Sequence, residues 1–413
     1  MRILIFGEAI LPPAYLPRVR YFCSYFMEKG WQVDWIIENS DFSAYAPKNV
    51  STLFIEYYKN KKGILGKIEW LIKFLLNLIW DHKGRYFHKK SARFLADKNY
   101  DLVFCSSSFT FPLTTAERAA KKMNVPLFVD LRDIAEQSPD DNHYLAHKPP
   151  TFLGNFIIRI YKKISLKRRN RVLKAAAGVT TVSPWHVQTL SRYNPNTHLI
   201  YNGFDENLFI PEDIDTERFT VSYFGRIYND EMRNPRLLFS AIQKLYEKGV
   251  MTPQNTVVKW FVDEVSKNVV QQIGNDYALN DFMEFHPFVI PEKLTDEMNK
   301  SSILLVLCNV TTSKKYFGIM TTKFFEAIGA NRPVLCIPDN QDNLSEFIKE
   351  TGAGMVSSDA SEVERFLYAE FLEWQKNGRT AGKLSNETRM KFSRKQSTAI
   401  LEQLFLKAIK KQG

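Results

Sequence analysis

The stretch Tyr316-Phe-Gly-Ile-Met-Thr-Thr-Lys-Phe-Phe-Glu-Ala-Ile-Gly-Ala-Asn-Arg-Pro-Val-Leu335 combines residue types that suit an anion with a hydroxyl-rich group beside it. It runs from a glycine-containing loop into a short helical pattern, then through a turn into an apolar run. The start of such a helix presents backbone N–H groups without intrahelical partners, and the helix dipole adds partial positive charge there. Thr321 and Thr322 stand where capping residues belong and can donate to a phosphate. Glu326 lies about one turn into the helix, where a carboxylate can accept hydrogen bonds from ribose hydroxyls. The plainer alternative is a capped surface helix whose Glu326 is simply solvated.

The pattern Lys323-x-x-Glu326-x-x-Gly329-x-x-Arg332-Pro333-Val334 resembles the donor-site signature of family 4 retaining glycosyltransferases. The resemblance implies that Glu326 holds the donor ribose and that Thr321, Thr322 and Lys323 belong to the donor side. The fuller family pattern carries two Glu residues eight apart, and the earlier position here is Gly318. A second match, Tyr223-Phe-Gly225-Arg226 followed by Arg233-Asn-Pro235, resembles the family's strand-Gly-Arg segment with its later basic residue. It implies that Arg226 and Arg233, beside Gly225, clamp the donor pyrophosphate. Departure of a nucleoside diphosphate builds negative charge, which fixed cations stabilise most in the transition state. The ordinary alternative for each arginine is a solvated surface residue.

The front of the chain offers two further candidates. Arg18, in Pro12–Arg20 after the first apolar run, occupies the place of the family's donor- and acceptor-facing loop, without its Gly-Gly. Asp130-Leu-Arg-Asp133 is similar to a motif of bacterial members and implies that Asp133 positions an acceptor hydroxyl. Capping the next helix or pairing with Arg132 would equally explain Asp133. Many relatives have a histidine in this region, and the nearest here, His143, lies in a polar loop. Ser183-Pro184 and Tyr201-Asn-Gly-Phe-Asp205 read as structural segments.

Positioning these residues requires elements that alternate. Short apolar runs interleave with helical patterns along the chain, the signal of parallel sheets covered by helices. The expected strands are Arg2–Phe6, Gln32–Ile37, Ser51–Glu56, Asp101–Cys105, Pro126–Asp130, Gly178–Val182 and His198–Tyr201. A second series follows at Thr220–Phe224, Thr256–Val262, Phe282–His286, Ile303–Val306, Pro333–Cys336 and Gly354–Val356. With 413 residues, two domains are expected. The predicted fold class is α/β, two doubly wound Rossmann-like domains facing across a cleft, the GT-B arrangement that the resemblance implies. Residues 1–202 form the acceptor-side domain, with helices of 385–413 packing back on it, and 203–384 form the nucleotide-sugar domain, entered through the linker Gly203–Glu217.

Charge is uneven. The net charge is +11, yet residues 1–200 carry a balance of +14 and the remainder −3, and residues 151–200 hold nine basic side chains and no acidic one. Trp70-Leu-Ile-Lys-Phe-Leu-Leu-Asn-Leu-Ile-Trp80, with Lys61, Lys62, Lys67 and Lys83 around it, suits a helix lying in a membrane interface. A buried core helix is the alternative. Phe156–Tyr161, leading into Lys162-Lys163 and Lys167-Arg168-Arg169, is a second apolar-basic patch. No run of 18 apolar residues exists, so no span is expected. An anionic membrane surface is the expected partner, with the protein cytoplasmic and peripheral on the inner face of the cytoplasmic membrane.

Basic stripes also bind nucleic acid, but no recognition motif accompanies them, and no nucleic-acid partner is expected. Cys23, Cys105, Cys308 and Cys336 lack metal-ligand spacing and read as reduced thiols. Asp213-Ile-Asp215 lies in the charged linker and not at a strand end, so no metal and no cofactor are expected. The expected activity is hexosyl transfer from a nucleoside-diphosphate sugar, as co-substrate, to a hydroxyl of a glycan or lipid-linked acceptor. Retention of configuration is implied by the resemblance. A basic nucleic-acid- or membrane-binding α/β protein without transferase activity, and a GT-B nucleotide-sugar epimerase, are the alternatives.

Overall fold

A computed structural model describes residues 1–11, 17–59, 63–108, 110–137, 152–227, 229, 232–310 and 316–412. Pro12–Leu16 of the loop before Arg18, Lys61, Lys62, His143, and Tyr228, Asp230 and Glu231 of the arginine segment lie outside the described residues.

The chain divides into two compact units, Met1–Tyr201 with Thr398–Gly413, and Asn202–Ser397. In the first, strands β1 (Arg2–Phe6), β2 (Gln32–Glu38), β3 (Ser51–Ile55), β4 (Leu102–Ser107), β5 (Leu127–Leu131), β6 (Gly178–Thr181) and β7 (Thr197–Leu199) form one parallel sheet in the order β3-β2-β1-β4-β5-β6-β7. In the second, β8 (Phe219–Phe224), β9 (Thr256–Phe261), β10 (Met283–His286), β11 (Ile303–Leu307), β12 (Val334–Ile337) and β13 (Gly354–Val356) follow the order β10-β9-β8-β11-β12-β13, again all parallel. Each is therefore a doubly wound α/β sheet, as the alternating pattern predicts. The expected strands all form, with ends displaced by a residue or two.

The central strands are apolar on both faces because helices cover both. In α1 (Pro17–Glu28), Val19, Phe22, Cys23 and Phe26 recur at three- and four-residue spacing and are buried on the sheet. The opposite end of the sequence adds to the same core. Within α14 (Arg394–Gln412), the Phe405 ring lies 5.7 Å from Phe26, 5.3 Å from Phe104 and 5.0 Å from Phe128. All four cysteines are free and buried.

Helix α2 (Gly63–Trp80), which contains Trp70 and Trp80, has no buried residue, so the core alternative for this segment fails. It packs beside α3 (His82–Ser91) and α5 (Phe152–Ala175) and is held at its carboxyl end by side chains. Arg168 donates to the carbonyls of Asn77 and Leu78 at 2.6 and 2.8 Å, and Arg85 donates to that of Trp80 at 2.9 Å. These bonds satisfy acceptors that helix ends leave open.

The Asp-x-Asp triplet of the linker is a surface ion pair. Asp215 and Asp213 lie 2.7 and 3.6 Å from Arg379, and both carboxylates are largely exposed.

Candidate active site

In the second unit the strand order reverses between β8 and β11, the point at which open α/β sheets leave a crevice beyond their carboxyl ends. Gly225 and Arg226 follow β8, and Cys308 and Asn309 follow β11. Helix α10 (Thr322–Ala330) starts close by, preceded by Thr321 as its cap. The Thr321 side chain makes no capping bond, and the Thr321 and Thr322 hydroxyls have no hydrogen bond among the described residues. Helix α10 ends at Asn331, whose φ of 49° is a left-handed cap, and Pro333 then prevents continuation. Gly329 is fixed by packing, since a Cβ there would lie 2.7 Å from Cβ of Phe209 and 2.8 Å from the Phe204 ring. Arg332 is buried and donates to the carbonyls of Glu212 and Asn299. These two signature residues are thus structural.

Lys323 is the centre of the site. Its ammonium is half-buried, 5.5 Å from the Tyr223 ring centroid, and has no hydrogen bond or ion pair among the described residues. Burial, and next the nearby Arg233, pull its pKa down to about 7 against the opposing pull of Glu326. The amine lies directly over Gly225, whose φ is +136°, and a Cβ on that residue would collide with Nζ and Cε. The backbone conformation requires glycine here, and any side chain would also push the Lys323 amine from its place.

Arg233 joins Lys323, Thr321, Tyr223 and Asn309 around one small pocket. Its Nε donates to Asn309 Oδ1 at 2.6 Å and one terminal nitrogen donates to the Arg226 carbonyl at 2.8 Å. The Tyr223 hydroxyl donates to the same carbonyl at 2.9 Å. Glu326 is half-buried and unpaired among the described residues. Burial pushes its pKa above the usual carboxylate range, while Arg394 and Lys323 pull back.

Arg226 points elsewhere. Its Nε sits 3.1 Å from Asp263 Oδ2, its guanidinium lies 5.9 Å from the Phe288 ring, and it does not line the pocket. Asp263 caps α8 (Glu264–Asp276) by accepting from the Ser266 amide and hydroxyl at 2.9 and 2.6 Å. Burial opposes ionisation of Asp263, but the Ser266 bonds and Arg226 outweigh it, so its pKa falls. The cation pair in the pocket is therefore Arg233 with Lys323, not the expected Arg233 with Arg226. At Gly318, where the family has its first Glu, the backbone is left-handed with φ 64°, and the amide donates to Asp342 at 2.5 Å.

In the first unit the order reverses between β1 and β4. Beyond these strands Glu8 accepts from the Ser108 amide at 2.9 Å, the Ser108 and Ser107 hydroxyls at 3.1 and 3.2 Å, and Arg132 at 2.5 Å. Arg132 is thus not the partner of Asp133. Asp133 is exposed and accepts from Gln137 Nε2 at 3.3 Å, while Gln137 Oε1 lies 2.8 Å from His186 Nε2. His186 is buried, and burial lowers its pKa to about 4 against Asp133 and Glu136. The neutral ring must therefore carry its proton on Nε2 to meet an amide oxygen.

Arg18 departs from the expectation of an acceptor-facing residue. It is 4% exposed and donates to Asp130 at 3.0 and 3.3 Å and to the Tyr201 carbonyl at 2.6 Å. Asp130 also accepts from Ser106 and Thr180, each at 2.8 Å. Arg18 is a buried structural cation, because its helix begins on the face that carries Asp130. Asn309, Asp263, Glu8, Gln137 and His186 were invisible to sequence reading, because each acquires its place through a partner remote along the chain. Among the described residues no cluster of His, Cys, Asp or Glu could hold a metal ion.

Two doubly wound parallel sheets in tandem, each with polar groups at its switch point, are the GT-B fold. Solved structures share the architecture over nearly the full chain. Anabaena HepE in complex with UDP and glucose superposes with a TM-score of 0.62 at 15% identity, covering 98% of this chain and 100% of that one. A glycosyltransferase from Rickettsia africae gives 0.63 at 14%, covering 99% and 98%. Sucrose-phosphate synthase from Thermosynechococcus elongatus gives 0.59 at 14%, covering 98% of each. No curated protein sequence matches the chain. Residues 18–208, a little under half of the chain, match the family model of Glycosyltransferase Family 4.

Proposed function

We propose that this protein is a glycosyltransferase that moves a sugar from a nucleoside-diphosphate donor to a hydroxyl of a glycan or lipid-linked acceptor, with retention at the anomeric carbon and without a metal. The observation that carries the reading is Lys323: a half-buried, unpaired amine beside Arg233, at the carboxyl ends of β8 and β11 and the start of a helix. A site that accumulates positive charge in this way is stabilised by a multivalent anion. The structure of HepE with UDP-glucose, and its complex with UDP and glucose, support a nucleotide sugar as that anion.

In this reading Arg233, Lys323 and the first-turn amides of α10 hold the diphosphate, and their attraction grows as the bond to the sugar breaks. Thr321 and Thr322 donate hydroxyls to the phosphate. Glu326 accepts from the ribose hydroxyls. Arg226, half exposed beside Asp263 and Phe288, serves the nucleoside end of the donor or joins the diphosphate on binding. Asp133 orients the acceptor hydroxyl, held by Gln137. The departing phosphate oxygen takes the acceptor proton, so no protein carboxylate acts as nucleophile. An anionic membrane surface is the proposed place of work for a lipid-linked acceptor.

The test is a thermal-shift panel of UDP-, GDP-, ADP- and dTDP-sugars, followed by product analysis with the best donor. One nucleotide series should raise Tm, and Arg233→Ala should abolish the rise. A protein that no nucleotide sugar stabilises, or an Arg233→Ala variant that binds as tightly as the native chain, overturns the reading. An inverted anomeric centre in the product, read by NMR, overturns retention alone.

A further inference from the structure

Helix α2 inverts the usual logic of an amphipathic helix. Ile64, Ile68, Leu71, Leu75 and Ile79 recur at three- and four-residue spacing, the spacing of a core-facing stripe. Yet they are 76, 49, 52, 47 and 62% exposed. Leu65 and Ile72 widen the same face, and Trp80 closes its carboxyl end at 59% exposure. The start of α5 continues the apolar surface with Phe156 and Ile160. The two helices are fixed side by side: the Phe74 and Tyr161 rings lie 5.2 Å apart, and Arg168 of α5 caps α2. A contiguous apolar surface of this size is rare on a protein that leaves it bare.

The charges around it decide the occupant. Lys67 on α2, and Arg159, Lys163 and Lys167 on α5, are exposed around the apolar face. Glu69, the acidic residue of α2, turns away to pair with Lys73 at 2.5 Å. A second copy of the chain would bring these cations against their own kind. An anionic leaflet offers both halves of the complement, acyl chains for the leucines, isoleucines and tryptophan, and headgroup charge for the lysines and arginines. We infer that α2 and the amino-terminal half of α5 form the docking surface by which this protein lies on an anionic membrane, with α2 in the interfacial plane. No helix among the described residues is long and apolar enough to cross a bilayer, so the contact is parallel to the surface. This inference deepens the proposed lipid-linked acceptor, but its geometry depends on unit-one residues alone.

The experiment is vesicle flotation of the full chain with phosphatidylcholine alone and with 30% phosphatidylglycerol, a composition chosen to supply about one anionic headgroup in three. The native chain should float with the anionic vesicles, and the bound fraction should fall at least tenfold in high salt or with phosphatidylcholine alone. Leu71→Glu/Ile79→Glu, at exposed positions that leave the core intact, should lose flotation while keeping the native Tm and the nucleotide-sugar thermal shift. Lys163→Glu/Lys167→Glu should weaken binding to anionic vesicles with the same controls unchanged. Equal flotation of the Leu71/Ile79 variant, or no flotation of the native chain, overturns the inference. So does a concentration-dependent dimer that this variant abolishes without any vesicle binding, which would make a second copy the occupant. Flotation reads the surface without transfer, so failure of the donor assignment would leave this result standing.

Discussion

At the scale of single residues, Lys323 makes the sharpest prediction. Its pKa, pulled down to about 7 by burial and Arg233, must rise when a diphosphate binds, because the anion favours the ammonium. Below pH 7 the amine is already charged and donor affinity should be flat. Above pH 7 binding must take up a proton, so Kd should weaken with pH by up to tenfold per unit. Calorimetry in two buffers of different ionisation enthalpy measures that proton uptake directly, and Lys323→Met should remove both the uptake and most of the binding. Stability should move the other way. A lysine whose folded pKa lies below its unfolded value stabilises least when protonated, so the native chain gains stability as pH rises from about 7 toward 10.5. Lys323→Met should therefore be more stable than the native chain by ~2 kcal/mol, allowing for partial solvent screening, and most so below pH 7. The lysine–glutamate spacing was legible in the sequence because α10 is regular and one turn separates the two. The orientation of Arg226 was not, because Asp263 enters from another strand end. Nor was the burial of Arg18, which needs Asp130 of β5 beneath it.

At the scale of elements, two glycines separate site from scaffold. Gly225→Ala places a methyl group where the Lys323 amine sits and strains a φ of +136°. It should weaken donor binding at least tenfold and lower stability by ~1–3 kcal/mol. Gly329→Ala places its methyl against Phe204 and Phe209, away from the pocket. It should lower stability by a similar ~1–3 kcal/mol and leave Kd for the donor unchanged below the transition. Urea unfolding with donor titration on both variants checks the contrast, and equal losses of affinity would refute it. The strands could be read from sequence because parallel strands covered on both faces are short continuous apolar runs between helical patterns. Their ends could not, since ladder bonds such as Gly7 N–H to Ile36 O extend or stop with the neighbouring strand. The period alone also misassigns direction: α2 has a core-like stripe, and only the packing of α3 and α5 shows that it faces outward.

At the scale of the whole molecule, the chain is two cores joined by a linker and by one helix that contributes to both units. Arg394 to Ser397 belong to the second unit and Thr398 onward to the first. The first unit's core therefore depends on residues that follow the whole second unit along the chain: Leu401 and Phe405 are fully buried against α1, β4 and β5. Removing such a ring from a packed core costs about 3–5 kcal/mol. Phe405→Ala should lower the unfolding temperature of the first unit and leave the second nearly unmoved. A nucleotide sugar should do the converse, raising the transition of the unit that holds Lys323, Arg233 and Glu326 in proportion to ligand concentration. Differential scanning calorimetry of the native chain and the variant, with and without donor, gives four traces that test both statements together. If both perturbations shift one common transition, the units unfold as a single cooperative body. Two transitions, one moved by Phe405→Ala and the other by the donor, would show that the stability of each sheet is set by its own core and that nucleotide binding belongs to the second alone.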